Sequence, residues 1–248
     1  LKETGGFYGY SVVWEEDGSL RFSFKHAPGS QSLAGKRIVI DPGHGGSHVG
    51  TAAGNVTEKS MTLKYALALR DKLESLGATV TLTRTGDSHL ASDDHDDLVA
   101  RADMARNNGT DLFISLHMDG STSSTANGSS VHYFNEYSYE ASVKVAAQMQ
   151  AVYDSYNPGG QKRGARWDPF LVTRIHDCPA MLVECGFLTT PSNLELLIND
   201  SFMNDLAAAI ASGIQDYFQS QPVSRTALAA FSVPLPDVTA GLPEERAV

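Results

Sequence analysis

The stretch "RIVIDPGHGGSHVG", Arg37 to Gly50, sets three β-branched residues, Ile38, Val39 and Ile40, just ahead of a turn that carries four glycines and His44. An apolar run that ends on a turn signal predicts a buried strand followed by a tight loop. Two uses of such a loop compete. A phosphate cradle is one, because dinucleotide folds open with a strand and G-x-G-x-x-G; here Gly43 and Gly45 fit, but His48 stands where the third glycine belongs. No Gly-Lys-Ser/Thr follows, so the stretch is not a P-loop either. The other use is to lift His44 off the end of its strand.

Outward from this stretch, strand and helix signals alternate. "EKSMTLKYALALRDKLESLG" places Met61, Tyr65, Leu69, Leu73 and Leu76 at three- and four-residue steps and stops at Gly77, which predicts an amphipathic helix. "ATVTLTR" reads as a strand, "TGDSHLASDDHDD" as an acidic loop and "LVARADMARNNG" as a helix. "DLFISLH" and "GSSVHYF" read as strands, "YEASVKVAAQMQAVYDSY" as a helix and "PAMLVECGF" as the last strand, with helices in "PSNLELLI" and "FMNDLAAAIASGIQDYF". The fold class expected is α/β, a largely parallel sheet with helices on both faces.

Upstream, "YSVVWEEDGSLRFSFK" alternates on both sides of Asp17-Gly18, which predicts a β-hairpin with Val12 and Trp14 sharing a face with Leu20, Phe22 and Phe24. A lone hairpin is marginal, so this one packs on the main domain or belongs to an upstream β module. The expected organisation is hairpin and linker over 1–35, a catalytic domain over 36–219, and a proline-containing tail without clear period over 220–248.

Composition narrows the partners. The 248 residues hold 29 acids against 19 Lys and Arg, a formal net charge of −10, and no basic run, so no nucleic-acid partner is expected. No stretch approaches the roughly 18 apolar residues of a membrane span, and "LKETGGFYGY" lacks the regions of a signal peptide, so a processed or trimmed chain is expected. Cys178 and Cys185 flank a predicted strand that would hold them roughly 23 Å apart, so both are expected as small core residues and not as a disulfide.

In open α/β sheets, working groups gather beyond the carboxyl ends of the strands. His44 follows "IVID", His117 ends "LFISLH" and Glu184 ends "AMLVE"; Glu58 adds a carboxylate at the start of the first helix. Two imidazoles and a carboxylate are the ligand set a catalytic zinc prefers, with one position left for water or substrate. A further carboxylate that takes a proton from water and returns it to a leaving amine would complete amide hydrolysis.

The motifs "IVIDPGHGG", "TEKSMTL", "TLTRTGD", "ARADMAR", "DLFISLHMDGS", "GSSVHYF" and "PAMLVECGFLTTPSN", spread over about Lys36 to Phe218, resemble the zinc-dependent N-acetylmuramoyl-L-alanine amidases of the type 3 amidase group. The resemblance implies a mixed six-stranded sheet with one zinc ion held by His44, Glu58 and His117, and Glu184 as the catalytic residue. It also implies a peptidoglycan substrate, an extracytoplasmic location, attached wall-targeting domains and a monomer. The resemblance is not complete: the family's Asp-Pro after the glycine turn is His48-Val49 here, and its Asn two places past the second histidine is Asp119. His48 and Asp119, with Arg166 and Arg174 of "GARWDPFLVTR", are the candidate substrate-binding residues, an arginine fork being suited to stem-peptide carboxylates. Two rival functions share the motifs: a wall-binding protein without turnover, and a zinc peptidase cutting within the stem.

Overall fold

A computed structural model describes residues 7–26, 32–174, 176–221 and 230–233. Its elements run β1 (Phe7–Trp14), β2 (Leu20–His26), β3 (Arg37–Pro42), β4 (Ala52–Ala53), β5 (Val56–Thr57), α1 (Glu58–Ser75), β6 (Thr79–Leu82), α2 (Asp94–Asn107), β7 (Leu112–Asp119), β8 (Ser130–Tyr133), α3 (Glu136–Tyr156), β9 (Gly164–Trp167), α4 (Leu171–Arg174), β10 (Ala180–Phe187), α5 (Pro191–Leu197), α6 (Asp200–Ser220) and β11 (Ala230–Val233).

Alternation along the central strands builds two cores. Ile38, Ile40, Ile114, Met181 and Val183 point to one side, where α1, α3 and α6 bury Leu69, Met149 and Ile214 against them. Val39, Phe113, Ala180 and Leu182 point to the other, against Ala105 of α2 and Val172 of α4. This double burial is why these strands read as nearly unbroken apolar runs. The sheet order is β6-β3-β7-β10-β8-β9. The first four strands are parallel; β8 pairs antiparallel with β10, and β9 follows β8. The expected mixed, largely parallel six-stranded sheet with helices on both faces is the observed one. Cys178 and Cys185 are buried free thiols.

Three expectations change in detail. The acidic stretch read as a loop ends earlier: Asp94 to Asp97 form the first turn of α2, and Asp93 caps it by accepting from the His95 and Asp96 amides at 2.9 and 3.1 Å. The linker ends earlier as well, for Leu33 is fully buried in the main core; its first residues, 27–31, lie outside the described part. Within the stretch read as a tail, β11 pairs antiparallel with β2, so the expected hairpin gains a third strand. The hairpin register sets Val12 opposite Phe22 and Trp14 opposite Leu20, as the alternation requires.

The two longest helices meet at a glycine. A Cβ on Gly213 of α6 would lie 2.6 Å from the Val145 Cα of α3. In an isolated helix Gly→Ala gains about 1 kcal/mol; here the added methyl must push α6 off α3, and overpacking costs about 1–3 kcal/mol. Gly213→Ala is therefore expected to lower Tm in thermal unfolding followed by circular dichroism, and a higher Tm would show that the helix pair relaxes freely.

Candidate metal centre

His44 needs an unusual backbone to leave its strand. Its φ is +61°, the only positive value at a non-glycine among the described residues; a β-carbon in that region costs roughly 1–2 kcal/mol. Two buried arginines hold the turn there. Arg101 of α2 donates to the Pro42 and His44 carbonyls at 3.0 and 2.9 Å, to Asp41 at 2.8 Å and to Asp97 at 2.7 Å. Arg84, just past β6, donates to the Pro42, Gly43 and Lys59 carbonyls at 2.9, 3.0 and 2.8 Å. Asp41 is fixed in turn by Thr83 and Ser115 hydroxyls at 2.6 and 2.7 Å. Gly43 is required by close approach, since a Cβ there would fall 2.4 Å from the His117 ring.

Glu58 is brought in by the β4–β5 ribbon, which turns the chain so that the Glu58 amide meets the Thr51 carbonyl at 2.8 Å. Its carboxylate is 3% exposed and accepts from the Thr51 amide on one oxygen (2.7 Å) and from the Met118 amide on the other (3.0 Å). Onto that second oxygen converge His117 Nδ1 at 2.9 Å and His44 Nε2 at 3.1 Å. The two rings meet edge-on with centroids 5.0 Å apart. Four tetrahedral ligands about 2.0–2.1 Å from a zinc ion stand about 3.3 Å from one another; each histidine nitrogen is near that distance from the Glu58 oxygen, and all three donors lie within 4.8 Å of one another, close enough to hold one metal ion. Burial alone would raise the Glu58 pKa, but the hydrogen bonds and charge of His117 and His44 outweigh it and hold the carboxyl well below its usual range. A divalent cation would take over their role.

Glu184 of β10 is the register partner of His117 on β7. Its carboxyl is pushed well above the usual range by burial first, then by the charges of Asp119 and Glu58. A carboxyl that rides between protonated and ionised according to the charge beside it suits general acid–base work.

Of the other residues singled out in the sequence, His48 lies beside the cluster but not in it. It pairs with Asp94 at 2.7 Å, stacks on His89 and, with His44 and His117, lines a cavity of about 280 Å³ against the start of α2. Asp119 ends β7 and accepts from the Gly120 amide at 2.8 Å; burial raises its pKa, while Arg163 and His132 pull it down. Arg166 is exposed on edge strand β9 in register with His132. Arg174 is not brought to the cluster: it lines a separate cavity with Arg106, His176 and hairpin residues such as Tyr10, which shares no residue with the one at His44. Arg84, Arg101 and Asp41 lie in motifs already quoted, yet their role was not read from them; the Asp97–Arg101 spacing of four on one helix face was the available signal.

Asp41 and Asp97 both sit below the ordinary carboxylate range: burial opposes this, and Arg101 overrides it. A depressed folded pKa gives stability that is complete above the unfolded value near 4 and is lost as pH falls through the folded one. Arg101→Met should cost about 3–5 kcal/mol in urea unfolding at neutral pH, since it strands two buried carboxylates. Asp97→Asn should show a shallower loss of stability between about pH 5 and 2 than the parent protein. Equal acid slopes would rule out this network as the source.

Comparison with known proteins agrees with the geometry. The family profile described as N-acetylmuramoyl-L-alanine amidase matches residues 38–216. A probable cell wall amidase LytH of Staphylococcus saprophyticus is 34% identical over 213 residues, 85% of this chain and 67% of that protein. A germination-specific N-acetylmuramoyl-L-alanine amidase of Bacillus subtilis is 31% identical over 199 residues, 77% of this chain and 83% of that protein. The chain spans between 60% and 67% of the length of the LytH relatives it matches. Among solved structures, an N-acetylmuramoyl-L-alanine amidase from Clostridium difficile 630 superposes with a TM-score of 0.69 at 32% identity, covering 76% of this chain and 99% of that one. The strand ends that gather His44, His117 and Glu184 thus sit in a chain that belongs to the N-acetylmuramoyl-L-alanine amidase family, type 3 group.

Proposed function

We propose that this chain hydrolyses the amide between the lactyl group of N-acetylmuramic acid and L-alanine in peptidoglycan, with one zinc ion held by His44, Glu58 and His117. The observation that carries the reading is the convergence of those three donors, with His117 in register with Glu184 on the adjacent strand, in a chain of this family. A zinc ion held there would supply Lewis-acid chemistry, for the lactyl carbonyl and for the water.

The residues of the chain do the rest. Glu184 takes the proton from the attacking water and gives it to the alanine nitrogen as the carbon–nitrogen bond breaks. Glu58 is held by two backbone amides, so it does not swing towards substrate. Arg166 offers a guanidinium to stem-peptide carboxylates from the exposed edge of the sheet, His48 lines the cavity at His44 and His117, and Asp119 ends β7 two residues past His117. The substrate class puts the action outside the cytoplasm, in the wall, and the catalytic domain starts near Leu33, ahead of β3. No helix among the described residues is long and apolar enough to cross a membrane.

The test is product analysis on purified sacculi. Mass spectrometry should find stem peptides with free L-alanine amino termini; new termini within the stem would make the protein a peptidase instead. Glu184→Gln should lower kcat roughly 10²–10⁴-fold with metal content unchanged. His117→Ala should lose both metal and activity. Chelation should abolish turnover and added zinc restore it, whereas zinc bound without turnover in the parent protein would make it a wall-binding protein.

A further inference from the structure

The antiparallel pairing of β8 with β10 sets Ser130 opposite Glu184 and His132 opposite Leu182, so Ser130, His132 and Glu184 share one face of the sheet. On that face, Ser130 Oγ lies 2.9 Å from His132 Nε2, and His132 Nδ1 lies 2.5 Å from Asp168 Oδ2 just past β9. Phe170 closes over the imidazole edge-on, with centroids 5.5 Å apart. Ser130 is buried and the His132 side chain nearly so. The chemistry of the preceding subsection uses none of the three. Yet their line of contacts ends beside Glu184, whose Oε2 is buried and has no hydrogen-bond partner among the described residues. An unpaired buried oxygen of this kind is costly, and the hydroxyl placed across from it is that of Ser130.

The order of donors follows from the groups. An ionised Asp168 only accepts, so His132 donates to it through Nδ1. Ser130 Oγ has one proton and two lone pairs, so it accepts whenever Nε2 carries a proton, and its own proton is then free to turn to a further acceptor. We propose that Asp168, His132 and Ser130 form a positioning relay that directs the Ser130 hydroxyl at Glu184 Oε2 and so keeps the other carboxylate oxygen turned to the reacting water. None of the three touches substrate. The proposal rests on the reading of Glu184 as general base.

The zinc-loaded full chain is assayed on purified peptidoglycan as Asp168→Asn, Ser130→Ala, Ser130→Thr and Glu184→Gln proteins. Asp168→Asn and Ser130→Ala are each expected to lower kcat roughly tenfold, about the worth of one hydrogen bond, with KM within about twofold. Ser130→Thr, which keeps the hydroxyl, should recover most of the loss. A low-field imidazole N–H resonance assigned to His132 should be present in the parent and absent from Asp168→Asn. Unchanged kcat in Asp168→Asn and Ser130→Ala beside an inactive Glu184→Gln overturns the relay and leaves the amidase reading standing. Full activity in Glu184→Gln overturns both. A loss of stability in Ser130→Ala and Ser130→Thr alike, with kcat per folded molecule unchanged, assigns the trio to structure and also overturns the relay.

Discussion

The guanidinium of Arg101 is the point on which the site depends. It is 1% exposed, between two carboxylates and two main-chain carbonyls. A charge taken this far out of water is tolerable only when its donors are paired. Its partners are the end of β3 and the carbonyl of His44, so the same bonds that satisfy the charge also hold the left-handed turn. Arg84 grips the same segment from the β6 side and ties it to the first turn of α1 through the Lys59 carbonyl. The strain in His44 is thereby spread over two helices and two strands, and the imidazole is placed before any metal arrives.

Sheet topology supplies the remaining members. Parallel β7 and β10 deliver His117 and Glu184 at the same level, while antiparallel β8 brings the start of a strand, Ser130, to where its neighbour ends. A wholly parallel sheet would put a strand's carboxyl end and its loop there instead. The switch of direction at β8 therefore allows Glu184 a structured neighbour on one side and a ligand of the cluster on the other.

Much of this was legible in the chain itself. Strand ends, ligand chemistry and the family motifs marked His44, Glu58, His117 and Glu184, because each is tied to a local signal: a glycine turn, a helix start, the last residue of an apolar run. The buried arginines were harder to read: a solvated i,i+4 pair would show the same spacing as Asp97 and Arg101, and the burial of Arg101 is accounted for only once Asp41, sixty residues away, is added. His132 shows the same limit. Its partners are a serine two residues before it and an aspartate beyond the next helix. Arg174 marks the opposite failure: an arginine fork suits stem-peptide carboxylates, but fork chemistry carries no position, and Arg174 lines a cavity that shares no residue with the one at His44.

Charge explains how the site can be both acidic and ordered. Glu58, Asp119 and Glu184 interact closely enough that each of the latter two is raised in part by a carboxylate neighbour. Three carboxyl groups at one end of a sheet attract a divalent cation, and binding that cation stabilises the folded chain by linkage. The residue at 119, Asp here where the resembling family commonly has Asn, adds to that attraction at the cost of pushing a proton onto Glu184. Arg163, stacked 4.4 Å from the Phe187 ring centre, and His132 lie near enough to offset part of the added charge. Asp119, Arg163 and His132 therefore form a coupled set, and the effect of changing Asp119 alone depends on the Arg163 guanidinium and the His132 ring near it.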